Sequence, residues 1–194
     1  MVLASTSPRR KQLLEAHGYE IVRAHAVADD GGLAPGSVSP DEWVMSLAYL
    51  KASSARAHED PASPRGVVLG ADTICVKNGL LIGQPIDVND AERILRLLSG
   101  GTHEVLTGVA LLCPKGDKRV LFCDRSVVRL GALSDEQITA YLATGMWEGK
   151  AGGYNLAERI EAGWPIEFEG DETSIMGLPM AALAAQLAAF CDAE

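Results

Sequence analysis

Read for hydrophobic periodicity, the chain alternates short apolar runs with amphipathic stretches. Residues 1–4 predict a short strand, and "STSPRR" follows. Ser7 fits an N-cap with Pro8 at the first helical position, and Gly18 stops the helix after Leu13 and Leu14. Ser39-Pro40 repeats the start signal for a helix reaching about His58. On it Val44, Leu47, Ala48, Lys51 and Ala55 share one stripe. "GVVLGADTICVKNGLLIG" (66–83) predicts two strands joined by a tight turn at Asn78-Gly79. A helix over Asn89–Ser99 turns Ala91, Ile94, Leu95 and Leu98 to one side, with Gly100 as its stop. Two β segments, 103–112 and 119–129, are joined by "PKGDK". Ser134 and Gln137 form a capping box for a helix to about Thr144. "GKAGGYNL" (149–156) reads as a glycine-rich loop, and a strand near 166–169 and an Ala/Leu helix close the chain. Hairpins interrupt the alternation of helix and strand, so the pattern predicts an α/β fold with a mixed sheet.

Composition narrows the function. The 194 residues carry a net charge of -9, which disfavours a non-specific nucleic-acid binder and requires any phosphate ligand to be held by a local group of cations. The apolar runs are far short of a membrane span. The N-terminus lacks the pattern of a signal peptide. Cys75, Cys113, Cys123 and Cys191 show no metal-ligand spacing and read as reduced thiols of a cytoplasmic protein. No P-loop, GxGxxG, GxSxG or HExxH is present, and His103-Glu104 reads as structural.

Five features stand out chemically. The "STSPRR" stretch places hydroxyls and two arginines, Arg9 and Arg10, at a helix N-terminus, where the dipole disfavours cations. An anion bound to the free N–H groups and guanidinium groups would relieve that conflict; the alternative is a capped surface helix with solvated arginines. Lys51 interrupts an apolar stripe, either snorkelling at its edge or reaching into a polar cleft. Asp72 stands inside a nearly continuous apolar run, which is costly unless it meets a cation or metal. Small neighbours, Gly70 and Ala71, leave room there for a ligand. Asp29-Asp30, otherwise a solvated turn, would with Asp72 offer hard oxygen ligands for Mg²⁺, and Lys150 reads as a phosphate contact or a surface lysine.

These stretches together resemble the Maf family of nucleoside triphosphate pyrophosphatases. "LASTSPRR", "LAYLKA", "GADT", "GQPID", "LSGGTHEVLTGVAL", "KAGGY" and "GLP" match its pattern in order across nearly the whole chain. The resemblance implies a single domain over 1–194 with an elongated, twisted mixed sheet flanked by helices, two lobes around a central cleft, and a homodimer. It implies that Ser7, Arg9, Arg10, Lys51, Gln84 and Lys150 hold the substrate, that Asp72 is the catalytic acid, and that Asp30 and Asp72 bind Mg²⁺ or Mn²⁺. Arg9 and "GADT" resemble the members acting on dTTP, UTP and modified pyrimidines. The chain departs from the pattern at Gln84, where the family has lysine, and at Ala157, where it has glutamine; Asn155 or Glu158 would have to replace that amide. Gln84 leaves a nucleotide-binding regulator with weak turnover as the alternative, with Lys77 or Lys150 as substitute cations. A phosphohydrolase acting on non-nucleotides is a third reading.

Overall fold

Local signals start most elements where the pattern places them. The computed structural model describes residues 1–24, 33–57, 66–114 and 118–191. Strand β1 (Val2–Ala4) leads into α1 (Pro8–Ala16), capped by Ser7, whose Oγ accepts from the Arg10 N–H. A two-residue strand β2 (Val22–Arg23) precedes α2 (Pro40–Ala57), where Ser39 and Glu42 bond each other's backbone N–H. Strands β3 (Val68–Lys77) and β4 (Leu80–Ile82) form the expected hairpin, with Asn78 at φ 51° and Gly79 at φ 77°. Then come α3 (Val88–Leu98), β5 (Gly101–Leu112), β6 (Arg119–Leu130) and α4 (Asp135–Leu142) with its Ser134–Gln137 capping box. After α5 (Leu156–Glu161) follow β7 (Ile166–Glu169), α6 (Glu172–Ile175) and α7 (Met180–Cys191).

Among the described residues the strands make one mixed seven-stranded sheet in the order β2-β1-β3-β5-β6-β7, with β4 beside β3. Two compact units are present: Met1–Asp72, Thr107–Asp124 and Gly177–Glu194 in the first, Thr73–Leu106 and Arg125–Met176 in the second.

The first unit has apolar clusters on both sheet faces, as alternation along a strand requires. Val2, Ala4, Val68, Ala110 and Leu112 pack with Ala48, Ala52 and Ala55 of α2. Leu3, Leu69, Val109 and Leu111 pack with Leu14 of α1 and with Leu178, Leu183 and Leu187. Gly70 belongs to the α2 side. A Cβ there would lie 2.8 Å from the Ala52 nitrogen and closer still to the Ala48 carbonyl oxygen. The expectation that Gly70 leaves room for a ligand is therefore corrected: the room is filled by the backbone of α2. Gly108 on β5 serves the same helix, since a Cβ would come within 2.6 Å of the Val44 oxygen.

The second unit is built around Ile94, Leu95 and Leu98 of α3, with Val105, Val128, Ile138, Tyr141 and Trp164. Here 149–156 is not one loop. A 3-10 turn occupies Ala151–Gly153, and Asn155 caps α5 by accepting from the Glu158 N–H at 2.8 Å. Six residues are too few for a helical period to show in the sequence.

His103 is 2% exposed in this unit. Its Nε2 lies 3.0 Å from the Tyr154 hydroxyl, and its Nδ1 has no hydrogen-bond partner among the described residues. Burial first, and the Lys77 ammonium second, push its pKa down to about 4. The folded protein thus holds His103 neutral, while the unfolded chain takes up the proton near the ordinary histidine value of 6.5. The His103 contribution is fully present above about pH 6.5 and falls as the pH drops toward 4, by up to about 1.4 kcal/mol per pH unit. Urea midpoints measured across that window should fall with pH, and less steeply in His103→Gln. An equal slope in the variant would place the proton uptake elsewhere.

Candidate active site

Strands β1 and β3 are parallel, with Ala4 opposite Gly70. The chain beyond Ala4 (Ser5–Ser7) therefore leaves β1 alongside the middle of β3, where Asp72 stands two residues beyond Gly70 within the strand. Strand β1 also marks a switch point. Its order in the sheet is β2-β1-β3, with α1 packed on one face and α2 on the other. In open α/β sheets the carboxyl ends of strands at such a point are where ligands are held.

The two costly side chains of the apolar segments solve each other's problem here. The Lys51 ammonium donates to Asp72 Oδ1, with the side chains 22% and 14% exposed. Lys51 is on the inner stripe of α2, and Gly70 and Gly108 let that helix lie directly on the sheet. Lys51 reaches a partner rather than snorkelling to water, and Asp72 meets the cation that its burial demands.

At the neighbouring turn, Ser5 Oγ accepts from the Ser7 N–H at 3.2 Å and from Arg10 NH1 at 3.2 Å, and Arg10 Nε donates to the Gly177 carbonyl at 2.8 Å. Burial lowers the Arg10 pKa; the Asp72 charge raises it in part, and the Arg9 charge lowers it again. Two guanidinium groups that repel each other at the positive end of a helix form a site that an anion stabilises. Arg23, which the sequence pattern does not single out, belongs to the same turn. It donates to the Thr6 and Ser7 carbonyls at 3.2 and 3.0 Å. Only the parallel pairing of β2 with β1, Arg23 opposite Leu3, brings it there.

The arginines separate by role. Arg10→Ala should lower both the melting temperature of the ligand-free protein and the affinity for a triphosphate, because its bonds to Ser5 and Gly177 are structural. Arg9→Ala should raise KM roughly 10- to 100-fold, the size of a lost charged hydrogen bond. Calorimetry with steady-state kinetics distinguishes them; a large apo destabilisation in Arg9→Ala would assign it to the scaffold as well.

The remaining predicted residues lie elsewhere. Gln84 is exposed between β4 and α3, and Gly83 beside it accepts from the Gly152 N–H at 3.0 Å. Lys150 is paired with Glu158 at 2.6 Å. Asn155 is 3% exposed and committed to capping, so neither Asn155 nor Glu158 is simply available as a base contact. Lys77 donates to the Leu97 and Leu98 carbonyls at the end of α3, which removes it as a substitute cation for Gln84. Asp30 lies outside the described residues, as does Asp29. Among the described residues no group of three metal-ligating side chains occurs. Asp72 nonetheless offers a carboxylate of the kind Mg²⁺ uses, since such sites take one or two carboxylates and complete their shell with water and substrate phosphates.

Fold and side chains define a mixed-sheet α/β protein with an anion-receptive helix start beside a carboxylate–ammonium pair. The chain belongs to the Maf-like protein family, whose model matches residues 1–190. It is 40% identical over 192 residues to a dTTP/UTP pyrophosphatase of Bacillus cytotoxicus, covering 97% of this chain and 94% of that one. A protein of the same name from Rhodopirellula baltica is 38% identical, covering 98% of this chain and 82% of the relative. Another from Geobacillus sp. (strain WCH70) is 38% identical, covering 93% and 92%.

Proposed function

We propose that this protein hydrolyses a nucleoside triphosphate, of the dTTP or UTP type, to the monophosphate and pyrophosphate. The observation that carries the reading is the Lys51–Asp72 pair, with Asp72 inside β3 two residues past the Gly70 that faces the end of β1, beside the arginine-bearing start of α1. Full-length likeness to proteins named dTTP/UTP pyrophosphatases supports the substrate class.

In the proposed reaction a water oxygen bonds to the α-phosphorus and the bond to the α–β bridging oxygen breaks, releasing pyrophosphate. Asp72 orients the water and takes its proton. Lys51, donating to Asp72 Oδ1, fixes the carboxylate's direction. Ser7, Arg9 and Arg10 hold the departing phosphates, whose charge grows as the bond breaks. A divalent cation, Mg²⁺ or Mn²⁺, held by Asp72 with Asp30, would supply neutralisation of phosphate charge.

Ala157 cannot offer a base the donor and acceptor of an amide. A pyrimidine preference that is real but relaxed is expected, since unmet polar pairing is what rejects wrong bases. A cytoplasmic location and a homodimer accompany the reading. Among the described residues no helix is long and apolar enough to cross a membrane, and no disulfide involves Cys75, Cys113 or Cys123.

Pyrophosphate release from dTTP, UTP, CTP, GTP and 7-methyl-GTP, with Mg²⁺ or Mn²⁺, tests the function. Tight binding without turnover would replace it with a nucleotide-binding regulator. Turnover confined to non-nucleotides, or a clear preference for 7-methyl-GTP, would overturn the substrate class.

A further inference from the structure

The turn before α1 places two consecutive carbonyls on one cation. Arg23 Nη2 donates to the Thr6 oxygen at 3.2 Å and to the Ser7 oxygen at 3.0 Å. The Ser7 oxygen also receives the first bond of α1, from the Lys11 N–H, but that bond is long at 3.5 Å. At the helix start the Arg23 guanidinium is thus the closer partner of this carbonyl. All of these residues lie in the first unit, as do Arg10, Lys51 and Asp72.

Arg23 is not a core residue, since both residues of β2 are exposed. Strand pairing fixes its backbone instead. Val22 N–H donates to the Met1 carbonyl at 2.9 Å, and Ala24 N–H to the Leu3 carbonyl at 3.1 Å. From that anchored position the side chain reaches forward to the turn. Carbonyl oxygens are the wrong neighbours for an anion, because their negative ends repel it. A guanidinium bonded to both offsets them, and it adds positive charge where the helix dipole is already positive.

We propose that Arg23 is a positioning residue for polyphosphate: it draws the Thr6 and Ser7 carbonyls to the β2 side of the turn and neutralises them, so that the start of α1 receives an anion. The inference rests on the proposed function, in which this turn holds the departing phosphates. Arg23 acts through the turn, and alike before and during reaction. Its loss therefore weakens binding without slowing the chemical step.

The test is Arg23→Met, which keeps most of the length and removes the charge and both bonds. KM for dTTP should rise about three- to ten-fold, between the effect of an exposed ion pair and that of a buried charged hydrogen bond. The change in kcat should stay within about twofold. The inhibition constant of pyrophosphate should rise with KM, and that of dTMP should not. General loosening of the fold would move both inhibition constants. Calorimetric titration with tripolyphosphate should show the same loss of affinity without turnover. Arg23→Lys, whose ammonium can donate to both carbonyls, should restore most of it. Unchanged KM and pyrophosphate inhibition in Arg23→Met, an equal loss for dTMP, or no recovery in Arg23→Lys would overturn the role of Arg23. If the unmodified protein binds tripolyphosphate through Arg23 but hydrolyses neither dTTP nor UTP, the proposed function fails and this inference stands. If it hydrolyses them and Arg23→Met behaves alike, this inference alone fails. With neither turnover nor tripolyphosphate binding, both fail.

Discussion

Replacing Asp72 by asparagine is expected to lower kcat by roughly 100- to 10,000-fold, the usual contribution of a positioned acid–base group. The amide accepts a hydrogen bond from Lys51 but cannot take a proton from water or balance a cation. Stability should fall as well. Breaking a fully buried ion pair costs about 3–5 kcal/mol, but these side chains keep 22% and 14% of their exposure. A loss nearer 1–2 kcal/mol is expected once solvent screening is included. Pyrophosphate release measured beside thermal melts separates the two effects. Asp72→Glu retains the charge and displaces it by one methylene; it should fold and still lose most activity. Near-normal kcat in folded Asp72→Asn would remove Asp72 from the chemistry.

The second large effect is expected from a single methyl group. In Gly70→Ala the new Cβ meets the Ala52 nitrogen at 2.8 Å and its Cβ at 2.9 Å, with the Ala48 oxygen closer. Two of these are backbone atoms of a helix, so no rotamer change relieves the contact and α2 must shift. Overpacking usually costs about 1–3 kcal/mol, and a contact with backbone belongs at or above the top of that range. About 3 kcal/mol corresponds to a melting temperature lower by roughly 6–12 °C for a chain of this size. Since Lys51 is carried by the same helix, activity should fall together with stability. A variant melting like the parent would show that α2 is seated less closely on β3. Normal kcat despite a lowered melting temperature would show that the Lys51–Asp72 geometry tolerates movement of the helix.

Features closed by neighbouring residues were legible before any packing was considered. Ser7-Pro8, Ser39 with Glu42, and Ser134 with Gln137 start helices because a side chain satisfies an N–H two or three residues away. Asn78-Gly79 turns the chain because both residues accept positive φ. The mixed α/β class followed from the order of those elements. The chemical oddities were legible too: a lysine in an apolar stripe, a carboxylate in an apolar run and arginines at the wrong end of a helix each violate a local rule, and each violation marks a group that needs a partner.

Which partner it finds is a matter of tertiary structure, because the partners are far apart along the chain. Lys51 and Asp72 are 21 residues apart, and Arg10 bonds a carbonyl 167 residues away. Arg23 joins the anion-receptive turn only through strand pairing. Gly70 shows the limit most clearly. A missing side chain beside a charged residue leaves a space, and composition cannot say whether substrate or helix fills it. Packing decided for the helix, and by bringing α2 against β3 it also brought the ammonium of Lys51 to Asp72.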